Sequence, residues 1–114
     1  MKVSNISRGV VLAQEALLAD KLWQRVKGLL GEKILLQGHG LVLRPCNSIH
    51  TCFMGFPIDV LFVDKANHVI KALSYLKPFR LTLLYFNAYL AIELPVGVIQ
   101  ASGTSEGDTL LLEE

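Results

Sequence analysis

The chain has 114 residues, 52% of them hydrophobic and 18% charged, with 11 basic side chains against 10 acidic ones and a net charge of +1. That composition excludes intrinsic disorder, gives no electrostatic ground for a nucleic-acid partner, and suits one domain whose core needs no metal or disulfide staple. The mean hydropathy of +0.44 is high for a small monomer, so monomer and homodimer both stand as expectations.

No segment reaches the roughly 20 apolar residues that span a bilayer. The longest apolar run, residues 81–94, is broken by Asn87 and Glu93. Lys2 and Arg8 precede an apolar stretch as in a signal peptide, but Gln14 and Glu15 interrupt it. A cytoplasmic protein is expected, with Cys46 and Cys52 as thiols.

In chain order, residues 9–13 read as a first strand and residues 16–19 as a second that pairs back on it. Asp20 offers an N-cap. Leu22, Trp23, Val26, Leu29 and Leu30 then recur at helical spacing, with Lys21, Gln24, Arg25 and Lys27 opposite. This predicts an amphipathic helix near residues 20–31, closed by Gly31, with Trp23 as a core anchor. The basic side chains around it, Lys33 included, read as a solvated helix face.

Residues 38–40 predict a turn, 41–43 a strand, and 48–54 an alternating strand. Residues 58–63 are apolar on both faces, as in a buried central strand. Residues 64–67 turn and 68–73 return as a hairpin partner. Residues 77–87 read as a loop with room for a short helix. Strands at 89–94 and 109–112 close the chain, with Gly97 and Gly107 in turns and Asp108 bonding its own turn. The sum is one domain over residues 1–114. It is mainly β (α+β), a small and mostly antiparallel barrel or sandwich of about seven strands with one helix.

The chemistry-bearing residues cluster between Pro45 and Met54. In an extended segment Ser48, His50, Cys52 and Met54 share one side, while Ile49, Thr51 and Phe53 share the other. His50, Cys52 and Met54 form a soft donor set of the kind copper(I) or zinc prefers. A structural zinc site normally takes four protein ligands, and no second Cys/His cluster supplies the rest, so no metal and no cofactor is expected. His50 could activate the Cys46 or Cys52 thiol as a nucleophile, although the spacing matches no protease signature. Asp59 and Glu93 each interrupt an apolar strand. A buried acid must be paired, hydrogen-bonded or functional.

The run Cys46-Asn47-Ser48-Ile49-His50-Thr51, then Met54, Phe56-Pro57-Ile58-Asp59-Val60 and Phe62, resembles the prokaryotic domain-of-unknown-function 192 family. Arg25, Gly28 and Leu29-Leu30 upstream, and Glu93-Leu94-Pro95, Gly97 and Gly107-Asp108 downstream, resemble its further motifs in order over roughly residues 9–112. The resemblance implies a small β-rich fold and no particular activity. The chain departs from the family pattern at Cys52, Phe53 and Gly55, which takes Cys52 out of the residues the resemblance implicates.

Both lines converge on a pocket formed by Cys46, His50, Thr51, Met54, Asp59 and Glu93, with no residue assigned as catalytic. The function expected first is a module that binds a small molecule or a peptide. Two other readings stand beside it. One is a hydrolase or isomerase using His50 with Asp59 or Glu93 as acid and base. The other is a protein-assembly domain anchored by Tyr85 and Phe86.

Overall fold

The structure, a computed structural model, describes residues 1–19, 35–51 and 55–114. Among these residues lie eight strands and one short helix. The strands are β1 Lys2–Asn5, β2 Val10–Ala13, β3 Glu15–Ala19, β4 His39–Leu43, β5 Ile58–Val63, β6 Val69–Leu76, β7 Leu90–Pro95 and β8 Leu110–Glu113. The helix, α1, is Val98–Ser102. The helix expected near residues 20–31, with Trp23, lies outside the described residues, as do Cys52 and Met54.

The strands form two sheets, ordered β2-β1-β8 and β3-β4-β7-β5-β6. All pairings are antiparallel except β3 with β4. The arrangement is sandwich-like rather than a closed barrel. One apolar cluster fills the space between the sheets: Val3, Leu12 and Leu110 from the small sheet meet Leu61, Val63, Ile92 and Leu94 from the large one. A second cluster covers the outer face of the large sheet, where Leu41, Val60 and Phe62 pack beneath Ile49 and Phe56. Strands β5 and β7 are buried along their whole length because both of their faces carry a cluster.

The strand predicted at 58–63 is β5 as observed. The pairing predicted for residues 16–19 is corrected: β3 pairs parallel with β4 in the other sheet, not with β2. The single residue Gln14 separates β2 from β3, which is too short for a hairpin loop, so the chain crosses between sheets there. Strand β4 begins at His39, so His39 and Gly40 belong to the strand rather than to a turn. Gly40 is packed so closely that an added Cβ would sit 3.2 Å from the Glu93 carbonyl oxygen. The alternating strand expected at 48–54 is, among the described residues, only an isolated bridge between His50 and Leu81, with Ile49 and Thr51 buried and His50 exposed. The region 77–87 is a loop, with no helix in it.

The chain's two ends are fastened together by a polar clasp. Asn5 is fully buried, and its amide donates to Thr104 Oγ1 at 2.9 Å and to Asp108 Oδ2 at 3.0 Å. The same Asp108 oxygen accepts from Arg8 Nε and from the Ser105 backbone N–H, each at 3.0 Å. The turn bond expected of Asp108 is therefore present, and longer-range bonds join it. Asn5 first, then Arg8 and Ser105, hold the Asp108 carboxyl below its usual 3.8. The folded state thus binds a proton less readily than the unfolded chain does. The resulting stability is present above the usual value and is lost as pH falls through the lowered one. Asp108→Asn should cost about 1–3 kcal/mol at neutral pH, from the donors left facing its amide. It should also flatten the acid limb of the stability curve. Urea unfolding of both proteins across the acid range measures both effects.

Candidate functional site

The two acids that the sequence singles out sit on adjacent strands at the centre of the large sheet. In the β5/β7 register Asp59 stands opposite Leu94, and Val60 opposite Glu93. Leu94 belongs to the inter-sheet cluster and Val60 to the outer one. Side chains alternate along a strand, so the two carboxyl groups lie on opposite faces.

Asp59 is hydrogen-bonded on both oxygens. Strand β6 carries an irregularity opposite it, where Ile58 pairs with Leu76 but Val60 pairs with Leu73. Tyr75 lies within this bulge at φ 55°, and its N–H donates to Asp59 Oδ1 at 2.9 Å. The other oxygen accepts the N–H groups of Gly97 at 3.1 Å and Ile99 at 2.9 Å. Gly97 is left-handed at φ 99° and turns the chain from β7 into α1. Asp59 therefore caps α1 from a neighbouring strand and holds the β6 bulge at the same time. Two segments that carry the family resemblance meet in this contact.

Glu93 is compensated differently. It is 3% exposed, and Oε2 is the buried side-chain atom without a hydrogen-bond partner among the described residues. Its cross-strand neighbours are Leu41 on β4 and Val60 on β5. Burial among these groups pushes its carboxyl up from the usual 4.5 to about 8. At neutral pH the group is a neutral acid with one O–H to donate and a carbonyl oxygen to accept. The row continues outward from Leu41 to Leu17 on the edge strand β3, and Leu17 is 61% exposed. An apolar cross-strand row therefore links the exposed Leu17 at the sheet edge to the carboxyl through the buried Leu41.

The other expected pocket residues have separate surroundings. Cys46 packs partly against the outer cluster, and its thiol donates to the Ser48 carbonyl at 3.1 Å. Thr51 is a clamp: its hydroxyl donates to the Lys77 carbonyl at 2.7 Å and accepts the Arg80 N–H at 2.9 Å. His50 is exposed beside Leu81. Cys46, Thr51 and Glu93 belong to the outer side of the large sheet, while Asp59 belongs to the inner side. Among the described residues no group of three His, Cys, Asp or Glu side chains is placed to hold a metal. Sequence reasoning missed a separate open cavity of about 450 Å³ between β2 and α1, lined by Val10, Leu12, Gln14, Gln37, Val98 and Ser102 among others. Its walls come from distant segments, and no local motif marks them.

Two-sheet topology, the acid pair on β5 and β7, and the clasp at Asp108 define a small β-domain of one recognisable class. The chain belongs to the DUF192 family, described as an uncharacterized ACR, whose model matches residues 3–112. A UPF0127 protein of Pyrococcus furiosus is 32% identical over 109 residues, covering 93% of both chains. A UPF0127 protein of Thermococcus sibiricus is 31% identical over 110 residues, covering 93% of this chain and 71% of that one. A crystal structure of a protein of unknown function from Novosphingobium aromaticivorans superposes with a TM-score of 0.82 at 19% identity, covering 97% of this chain and 82% of that one. A Sinorhizobium meliloti structure, described as "a putative transcription regulator", reaches a TM-score of 0.78 at 20% identity over 96% and 89% of the two chains. At these identities the two structures share the fold.

The Glu93 carboxyl gives the fold a defined pH response. The folded protein keeps this proton up to about pH 8, whereas the unfolded chain releases it near 4.5. Between those values the native state holds the extra proton, so stability falls as pH rises and levels off above the window. Glu93→Gln, neutral at every pH, should remove this slope. Urea unfolding at about pH 5, 7 and 9 should show the wild type losing several kcal/mol while the variant stays nearly flat.

Proposed function

We propose that the protein is a binding module whose ligand lies on the outer face of the large sheet and meets Glu93. The supporting observation is the buried Oε2, without a hydrogen-bond partner among the described residues, at the inner end of the Leu17–Leu41 row. A neutral carboxyl offers one donor and one acceptor side by side, which complements an amide or another neutral acid. The neighbouring leucines favour an apolar body. A small apolar molecule or peptide segment with one amide-like group fits this chemistry.

Cys46 and Thr51 border the same side. Asp59 supports the fold from the far side, and Met54 remains a candidate wall residue. An acid/base enzyme is the weaker reading, since Asp59 spends both carboxyl oxygens on backbone N–H groups. The reading also keeps the expected cytoplasmic setting, which the Cys46 thiol suits, and a monomer or homodimer acting without nucleic acid.

Native mass spectrometry of the reduced, untagged protein purified from cells tests this function. The wild type should carry added mass that Glu93→Gln keeps in part and Glu93→Leu loses, with both variants folded by circular dichroism. A bare wild type that also shows no chemical-shift response to a library of small amides would overturn it.

A further inference from the structure

The loop between β6 and β7 exposes more apolar surface than any role in the core explains. Phe79, Leu81, Leu83, Leu84 and Phe86 leave 49 to 82% of their surface open. Tyr85 turns inward instead, its ring 4.7 Å from that of Phe62. The loop is nevertheless held in place. The Thr51 N–H donates to the Arg80 carbonyl at 2.8 Å, the Phe79 N–H to the Thr51 carbonyl at 3.0 Å, and the Thr82 N–H to the Ile49 carbonyl at 3.0 Å. The Tyr85 N–H reaches the Asn47 carbonyl at 2.9 Å.

Phe79 itself sits in the left-handed region at φ 61°, a costly conformation for a bulky residue. The Thr51 clamp imposes it, and the outcome is an aromatic ring that is 73% exposed. A fold that holds a strained backbone to present a phenylalanine to solvent is presenting it to something.

Charge narrows the choice. Lys77 and Arg80 are exposed within the loop, and residues 65–92 contain no Asp or Glu at all. Aromatic and leucine side chains beside cations, on a segment that carries no acid, match the headgroup and upper acyl region of an anionic bilayer. We infer that residues 77–86 form a membrane-docking tip that seats the protein on an anionic lipid surface. The cations attract the surface, and Phe79, Leu81, Leu83 and Phe86 enter the interface. Thr51 is the positioning residue that keeps the tip erect. No described helix is long and apolar enough to cross a membrane.

Flotation with vesicles of phosphatidylcholine alone, or mixed with phosphatidylglycerol, tests the inference on the full chain. The wild type should float with the mixed vesicles about tenfold better than with the neutral ones, and added salt should weaken the binding. Phe79→Ser with Phe86→Ser should lower it at least about tenfold, and Lys77→Glu with Arg80→Glu severalfold. Both pairs replace exposed side chains, and unchanged thermal unfolding confirms their fold. Absence of flotation, or equal flotation of wild type and variants, would overturn the inference. So would a lipid-free dimer in sedimentation that the Phe79/Phe86 pair abolishes, because the loop would then bind a second copy of the chain.

Discussion

Two carboxyl groups enter the centre of the large sheet from neighbouring strands, and the architecture around them follows from how each is compensated. Burying an unpaired charge in such a place is costly. On the inner face three backbone N–H groups converge on Asp59, drawn from the β6 bulge and the start of α1. That contact fixes where β6 bends and where the chain leaves β7. On the outer face Glu93 finds no such donors among the described residues, and it is compensated by keeping its proton. The same functional group, one register step away, becomes a structural staple on one side and an unspent hydrogen-bonding group on the other.

Much of the fold was legible in the sequence because its strongest signals are local. The doubly apolar run at 58–63 could only be a central strand, and the acids within two apolar strands stood out at once. What escaped depends on contacts distant in sequence. Strand β1 is short and mixed in polarity, and only its pairing with β2 and β8 makes it a strand. Strand β3 looked like a hairpin partner of β2 because it follows so closely, yet its parallel register with β4 places it in the other sheet. For the site the limit was sharper. Asp59 and Glu93 look alike in sequence, and only the β5/β7 register shows that they face apart. Thr51 looked like a pocket residue because of its company. Its hydroxyl is instead taken up by Lys77 and Arg80, residues whose proximity no spacing rule reveals.

These contacts divide the molecule into a braced inner side and an outer side. The small sheet, the Asn5–Asp108 clasp and the Asp59 staple all brace the inner face. The outer face carries Glu93, the apolar row to Leu17, and the strap at 47–51 that holds the exposed loop. Family membership covers both sides, since the matched residues 3–112 run from the clasp through the last strand. On the braced side the carboxyl groups of Asp59 and Asp108 are taken up by the fold, whereas the outer side keeps a buried acid and exposed aromatic rings.

The most direct test of this account is a pH titration of the protein's glutamate carboxyl carbons by isotope-selective NMR, with Glu93→Gln used to assign the signal. The account predicts that the Glu93 carboxyl stays protonated through neutral pH and titrates near 8. A Glu93 signal already ionised at pH values of about 5–6 would contradict it, because the carboxyl would then have a partner or solvent that the structure does not give it.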